Sequence, residues 1–201
     1  MQGNPDVLPE QVRAMEISYD HPHSESWQWR IATFYNQYEN MIDFVYSLPI
    51  IAVNREGVTG KGIEYQCNWQ PINYFSFSGQ YEYLDMEDRG GDPILYRSNH
   101  RSNLSAQLHT NFANIRFSVR YWSEQQYDDF LSHDYEVIGT KIIFPLKTLP
   151  AQTIPEIILS KKLNSYKATL KISNLLDTTY ELIQDYPMPG RTWHITLTKT
   201  L

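Results

Sequence analysis

The stretch YFSFSGQYEY, from Tyr74 to Tyr83, decides the fold of this chain because two kinds of side chain alternate along it. The odd positions from Phe75 to Tyr83 are aromatic apart from one glycine, and the even positions between them are Ser, Ser, Gln and Glu. Successive side chains of an extended strand point to opposite faces. The stretch therefore predicts a β-strand with one apolar face and one polar face.

The same period of two recurs from one end of the chain to the other, and no convincing amphipathic helix interrupts it. We therefore predict an all-β chain, built as an antiparallel up-and-down meander of about nine strands. The predicted strands cover about residues 12–22, 26–38, 50–69, 74–86, 98–110, 113–125, 152–163, 165–180 and 191–201.

The connections between these strands alternate between short and long. Four short turns, PHSE, QPIN, NFAN and KLNS, are built from Pro, Asn and other turn-forming residues. The intervening connections are longer: the region after Tyr38, the loop with Gly90 and Gly91, the stretch from Tyr127 to Pro150, and YPMPGR. Strands of about ten residues with short turns at one end and long loops at the other are typical of outer-membrane β-barrels.

Composition narrows the class of protein. Aromatic residues make up 14% of the chain, with 15 Tyr, 8 Phe and 5 Trp, although its mean hydropathy is negative. Tyr and Trp suit surfaces that meet both an apolar and a wet environment. The net charge of -6, without a cluster of basic residues, argues against a nucleic-acid partner. The single cysteine excludes an internal disulfide and a cysteine-based zinc site.

An odd number of strands has a consequence for closure. In a meander of nine strands the first and last run in the same direction, so sealing the ring within one chain would need a parallel pair. An open sheet edge in lipid would leave amide groups without partners, at several kcal/mol each. We therefore expect the sheet to be completed by strands that are not in this sequence.

Four segments form an ordered set of motifs. They are GNPDVLPE (Gly3 to Glu10), GVTGKGIEYQCNW (Gly57 to Trp69), NLLDTTYELI (Asn174 to Ile183) and YPMPGRTW (Tyr186 to Trp193). In this order they resemble the C-terminal part of the β-barrel of TonB-dependent outer-membrane receptors. Two positions depart from the family pattern: Leu176 stands where Phe is usual, and Leu201 stands where the family generally ends in an aromatic residue.

The resemblance implies a fold and a function. Receptors of this family are 22-stranded barrels with an N-terminal plug domain, and they import scarce ligands such as iron chelates or cobalamin by coupling to TonB. By resemblance, residues 1–201 supply a partial arc of roughly the last nine strands, and the plug domain is absent. The implied partners are membrane lipid, the remaining barrel strands, the plug domain, and the TonB complex through the missing N-terminal part.

The start of the chain, MQGNPDVLPEQ, has neither a charged n-region nor an apolar h-region, so no signal peptide is visible. We expect a truncated gene product or an excised piece of an exported receptor, located in the outer membrane. Two alternatives stay open. One is a soluble, tyrosine-rich β-sandwich that binds a carbohydrate or a protein; the other is a small outer-membrane protein made from two or more copies of this chain.

Candidate ligand-binding residues lie in the predicted outer loops, because loops at a barrel mouth carry recognition. They are Asp128, Asp129, His133, Asp134, Tyr135 and Tyr186. Four basic residues of the polar face, which can guide an anionic chelate or bond plug residues and water, are Arg116, Arg120, Lys167 and Lys171. We favour the second, structural role for these four.

A second group of residues has an expected structural role in the last loop. Asn174 and Asp177 can hold a turn through their backbones, Pro189 stiffens the loop, and Gly190 and Arg191 lead into the final strand. Gly190 permits a positive φ angle. No catalytic motif or cofactor site is indicated. His21 and His23 flank Pro22 in a predicted periplasmic turn without a third ligand nearby, so we predict no metal site.

Overall fold

The computed structural model describes residues 4–24, 26–47 and 49–199, with only the backbone described at positions 22 and 23. Alternating sequence patterns produce fifteen strands in this part of the chain, and no helix in it is long and apolar enough to cross a membrane. In chain order the strands are β1 (Gln11–Ser24), β2 (Trp27–Glu39), β3 (Met41–Val45), β4 (Ile51–Arg55), β5 (Val58–Ile72), β6 (Phe75–Glu87), β7 (His100–His109), β8 (Asn114–Trp122), β9 (Gln125–Asp128), β10 (Glu136–Ile138), β11 (Lys141–Ile143), β12 (Leu146–Leu149), β13 (Gln152–Leu163), β14 (Tyr166–Ser173) and β15 (Thr192–Lys199).

Nine of these strands form one sheet, in the order β1-β2-β5-β6-β7-β8-β13-β14-β15. Every neighbouring pair in it is antiparallel. The sheet is therefore the up-and-down meander that the sequence predicted, and the prediction of about nine strands is confirmed. The other strands form three two-stranded ladders, β3 with β4, β9 with β12, and β10 with β11.

Two predicted strands were too long. The predicted strand 50–69 is divided at Gly57, whose φ angle is +68°, so β4 belongs to a separate hairpin and the sheet strand β5 begins at Val58. The predicted strand 165–180 ends at Ser173 because Asn174 has a φ angle of +52° and starts a turn. The final predicted strand extends to Leu201, and its last two positions lie outside the described residues.

The sheet has one apolar face, which is solvent-accessible along its whole length. Apolar residues of neighbouring strands lie beside each other on this face, for example Trp69 beside Phe77, and Leu170 beside Ile195. Only five hydrophobic residues are buried in the part of the chain that the structure describes: Ala32, Val58, Leu149, Ile154 and Tyr180. A sandwich buries its apolar faces against a second sheet, whereas here the apolar face is open, so the sandwich alternative is wrong.

The opposite face is polar and continuous across the strands. Ser78 pairs with Ser105, and Ser105 with Ser118.

The closest packing around a glycine occurs at Gly62, where an added Cβ would lie 2.6 Å from the Phe34 ring and would collide with the carbonyl oxygen of Tyr83. Only glycine fits at position 62, because the Phe34 ring and the Tyr83 carbonyl oxygen leave no room for a Cβ atom.

The long connections all lie at one end of the sheet, since they alternate with the short turns of an up-and-down meander. We call the segments 40–57, 88–99, 123–151 and 174–191 the four outer connections. The three small ladders belong to the first and third of them. These connections hold the predicted ligand-binding residues, and they define the candidate site.

Candidate functional site in the outer connections

An ion pair with a buried carboxylate fixes the third outer connection. Asp129 is only 5% exposed, and the Nζ of Lys147 lies 2.5 Å from its Oδ2 atom. The amide of Gln184 donates a hydrogen bond of 2.5 Å to the Oδ1 atom of Asp129. Because Gln184 belongs to the fourth connection, the carboxylate ties two connections together. We call Asp129, Lys147 and Gln184 the loop clasp.

The pKa values of Asp129 and Lys147 reflect the contacts within the loop clasp. The hydrogen bond from Lys147 lowers the pKa of Asp129 below its usual 3.8, against the opposing effect of burial, and the Gln184 hydrogen bond adds to the lowering. The same hydrogen bond raises the pKa of Lys147 above its usual 10.5. Both groups are thus held in their charged forms.

Strand β9 is the point at which the connections meet. Its Gln125 side chain donates a hydrogen bond of 2.7 Å to the carbonyl of Leu182 in the fourth connection. The amide of Tyr96, in the second connection, donates one of 2.8 Å to the carbonyl of Gln126. β9 is also held by its ladder with β12, so this short strand joins three outer connections.

An aromatic cluster joins the first connection to the third. Tyr46 lies edge-on to Phe144 at 5.3 Å between ring centroids and stacks with Phe130 at 6.3 Å. Tyr135 approaches Phe144 at 6.0 Å, and the amide of Ile142 donates a hydrogen bond of 2.8 Å to the carbonyl of Tyr46. Aromatic pairs with these separations stabilise the contact beyond the area that they bury. The four connections therefore form one assembly at the outer end of the sheet.

A second acidic residue, Asp128, lies at the end of β9. Burial raises the pKa of Asp128 above its usual 3.8, with Arg55 opposing and Asp43 reinforcing the shift. Arg55 is itself paired with Asp43 at 3.0 Å. Burial, with a smaller effect of Asp128, raises the pKa of Tyr46. Asp128 therefore binds a proton more readily than Asp129, although the two are neighbours in sequence.

The six predicted ligand-binding residues occupy different environments. Asp129 is buried in the loop clasp and Asp128 is half-buried, whereas four are exposed: His133, Asp134, Tyr135 and Tyr186. Tyr186 is 69% exposed and Tyr135 50%. The three exposed residues of the third connection are consecutive in the chain, and Tyr186 lies on the fourth connection.

The predicted structural motif forms the base of the fourth connection. Asn174 is 2% exposed; its side chain accepts a hydrogen bond from the Thr178 amide at 3.0 Å and donates to the carbonyls of Thr178 and Pro189. The Asp177 Oδ1 atom accepts from the Arg191 amide at 2.6 Å, and the Arg191 Nε donates to the Leu175 carbonyl. The two ends of the connection are thus tied side by side.

Gly190 does not use the positive φ angle that a glycine permits. Positive φ angles occur instead at Asn174 and Asp177, with values of +52° and +55°. A Cβ at position 190 would lie 2.8 Å from the Asp177 Oδ1 atom. Glycine is required there by the close approach of this carboxylate, since the backbone of Gly190 itself is ordinary.

The basic residues of the polar face differ in their contacts. Lys171 pairs with Glu156 at 2.8 Å, Arg116 donates two hydrogen bonds to the Gln107 side chain, and the Arg120 guanidinium lies 5.7 Å from the centroid of the Trp122 ring system. Lys167 lies directly opposite Lys162 in the ladder. Three of the four are therefore engaged by neighbours in the sheet.

No group of three His, Cys, Asp or Glu side chains suited to a metal ion occurs among the described residues. His21 lies in β1, and not in a turn, with its ring stacked on Trp29 at 5.1 Å. The side chain of His23 lies outside the described residues.

Sequence reasoning missed the residues that build the assembly: Tyr46, Phe130, Phe144, Lys147 and Gln184. Aromatic side chains in a connection that otherwise reads as loop are a usable signal, because exposed loops rarely hold several of them without a packing role. Lys147 and Gln184 give no such signal, since their partner Asp129 is 18 and 55 positions away in the chain.

A nine-stranded antiparallel arc with an open apolar face, a polar inner face and long connections at one end defines a segment of a membrane β-barrel. The family model described as "TonB dependent receptor-like, beta-barrel" matches residues 1–175. The chain belongs to this family, and its location is the outer membrane.

Known proteins agree with this assignment. The vitamin B12 transporter BtuB of Photobacterium profundum is 28% identical over 204 residues, which cover 98% of this chain and 31% of the transporter. The siderophore receptor PirA of Acinetobacter baumannii matches with a TM-score of 0.74 at 14% identity, over 98% of this chain and 32% of the receptor. The ferripyoverdine receptor of the outer membrane of Pseudomonas aeruginosa matches with a TM-score of 0.75 at 11% identity, over 95% of this chain and 27% of that receptor.

These structural neighbours are 22-stranded barrels, so the nine-stranded sheet corresponds to a partial arc of such a barrel. The chain spans about a third of the length of the proteins that it matches.

Proposed function

We propose that this chain is the C-terminal part of the barrel of an outer-membrane receptor that takes up a scarce ligand, such as an iron chelate or cobalamin, by energy coupling through TonB. The observation that carries the proposal is the two-faced open sheet, which suits lipid outside and a hydrated channel inside. The chain by itself does not close a channel. The remaining barrel strands and a plug domain supply the rest of the transporter, and the plug-containing N-terminal part supplies the contact with TonB.

The outer connections are the proposed ligand-binding region. The exposed side chains of the third connection, His133, Asp134 and Tyr135, offer an imidazole, a carboxylate and a phenol, and Tyr186 adds a second phenol. These groups can make hydrogen bonds and ring contacts with a large polar ligand. We assign Asp129 an indirect role, because its oxygens are occupied by Lys147 and Gln184. Asp128 remains a proposed contact with a smaller exposed surface.

Replacing the segment 128–135 in the complete receptor tests this assignment. We expect ligand affinity to fall, measured with whole cells that take up a radiolabelled ferric chelate or cobalamin. A triple substitution of His133, Asp134 and Tyr135 by alanine avoids disturbing the loop clasp, and should reproduce most of the effect.

Substitution of Asn99 and Lys141 by alanine serves as the matched control. Both are exposed residues of the outer connections, and neither is a proposed ligand contact. If affinity is unchanged by the segment replacement, the proposed binding region is wrong. If no TonB-dependent uptake of any ligand is found, the proposed transport function itself is wrong.

A further inference from the structure

Positive charge accumulates without acidic neighbours at the short-turn end of the last five sheet strands. Residues 107–118, 158–170 and 194–199 contain no Asp or Glu, although the net charge of the chain is -6. The same segments contain five Lys and Arg residues: Arg116, Lys161, Lys162, Lys167 and Lys199. The net charge of these segments is therefore positive, opposite in sign to that of the whole chain.

Two of these lysines lie on the apolar, outward face of the sheet. Lys161 follows Leu159 by two positions in β13, and Lys199 follows Leu197 by two positions in β15, so each shares the face of those leucines. The register pairs Tyr166 of β14 with Lys199 and Ala168 with Lys161. Both lysines therefore flank β14 near its short turn.

Aromatic side chains accompany the two lysines. The Lys161 Nζ atom lies 3.6 Å from the centroid of the Phe112 ring, a distance at which a cation is attracted to the ring face. Phe112 is 73% exposed and Tyr166 is 43% exposed, both at the short-turn end. We call Lys161, Lys199, Phe112 and Tyr166 the basic rim.

The membrane placement in the proposed function puts the basic rim at the depth of lipid headgroups. Aromatic residues of barrels collect where the hydrocarbon meets water, and lysines there extend along apolar surface with the ammonium group in the headgroup layer. Immediately beyond the rim, the outward face continues as an apolar wall that includes Leu170 and Ile195, which are partners in the ladder. A positive edge beside an apolar wall matches an amphiphile with an anionic headgroup.

We propose that the basic rim binds the headgroup of an anionic glycerophospholipid in the inner leaflet of the outer membrane, with the acyl chains along the wall at Leu170 and Ile195. The proposal rests on the membrane placement in the proposed function. A free inorganic anion would engage the lysines and gain nothing from the wall, which is why we assign the site to a lipid.

Native mass spectrometry of the complete receptor in detergent, titrated with phosphatidylglycerol or phosphatidylethanolamine, tests this proposal. Each basic residue near an anionic lipid changes affinity by about fivefold. Substitution of both Lys161 and Lys199 by glutamine should therefore weaken phosphatidylglycerol binding by about twenty-five-fold and leave phosphatidylethanolamine binding unchanged. High salt should reduce the difference, because exposed charges are screened.

Lys61→Gln is the matched control. Lys61 lies on the same outward face at the opposite end of the sheet, and it pairs with Asp85 at 3.1 Å. An unchanged phosphatidylglycerol affinity in the double variant would overturn the proposal, as would an equal loss in the control. Displacement of phosphatidylglycerol by inorganic phosphate at similar concentration would overturn the assignment to a lipid. Ligand uptake, measured in parallel, separates failure of this inference from failure of the transport function.

Discussion

Asp129 shows at the residue scale how one carboxylate couples distant parts of the outer assembly. Its pKa is lowered by Lys147 and Gln184, so its contribution to stability is complete above the ordinary pKa of 3.8 and is lost as the pH falls through the lower folded value. The pKa of Lys147 is raised, so the lysine contributes fully below 10.5 and loses its contribution as the pH rises through the higher folded value. The loop clasp is therefore intact across neutral pH.

Lys147→Gln should loosen the third and fourth connections together. The substitution removes the counterion of a buried carboxylate. We expect amide exchange in residues 125–128 and 180–186 to accelerate by about tenfold, because the free energy of one charge-assisted hydrogen bond no longer opposes local opening. Hydrogen–deuterium exchange of the complete receptor measures the effect. The difference from wild type should vanish below the folded pKa of Asp129, where the carboxylate is protonated.

Lys141→Gln is the control, because Lys141 is an exposed lysine of the same connection and is not a member of the loop clasp. Equal acceleration in both variants would mean that general loop charge, and not the clasp, protects these amides.

Gly190 offers a second test at the residue scale. Gly190→Ala would place a Cβ 2.8 Å from the Asp177 carboxylate that accepts the Arg191 amide, so we expect a loss of about 1–3 kcal/mol in urea unfolding. The same substitution in an Asp177→Ala background should cost much less, because the clashing oxygen is gone. If the costs are equal in both backgrounds, the close approach is not the reason for glycine.

At the scale of the element, the two faces of β7 separate lipid from water. Leu104 and Ser105 are adjacent in sequence, but Leu104 lies on the apolar face beside Val119 and Ser105 lies on the polar face beside Ser118. Leu104→Arg should destabilise the barrel in bilayers by about 2–4 kcal/mol, whereas Ser105→Arg should cost little. Urea unfolding in lipid vesicles compares the two. Similar losses for both variants would contradict the assignment of the faces.

The sheet strands were predictable because alternation is a local property of the sequence. The alternation of aromatic and polar residues around Phe77 requires only that one face of the strand be apolar, and most sheet strands repeat it. Boundaries depended instead on single backbone angles, such as those of Gly57 and Asn174, which composition does not reveal. The strand predictions were too long at these two places for that reason.

The outer assembly was much less predictable. The contacts that shape it join residues far apart in sequence, such as Gln125 with Leu182 and Asp129 with Gln184. As an acidic loop residue, Asp129 is predicted by the sequence to be a ligand contact, and the same property lets it serve as an anchor within the protein. Only the geometry distinguishes the exposed Asp134 from the buried Asp129.

At the scale of the whole molecule, the apolar face and the two open sheet edges determine what the chain needs around it. The edge strands β1 and β15 are the first and last of nine antiparallel strands, so they run in the same direction and cannot seal an up-and-down ring together. In lipid, each backbone group without a partner costs several kcal/mol. Strands that pair with β1 and β15 are therefore required for stable insertion.

A refolding experiment with the separated parts of the receptor tests this requirement. We expect this chain and the preceding part of the receptor, refolded together in detergent, to give a compact band that resists unfolding until heated on electrophoresis, and neither part to do so alone. Deletion of residues 192–199 should abolish the band, because it removes a strand that a closed ring needs. A chain that instead forms a monomer in detergent-free buffer and melts cooperatively would contradict the membrane assignment, since the apolar face would then have found a partner within the chain.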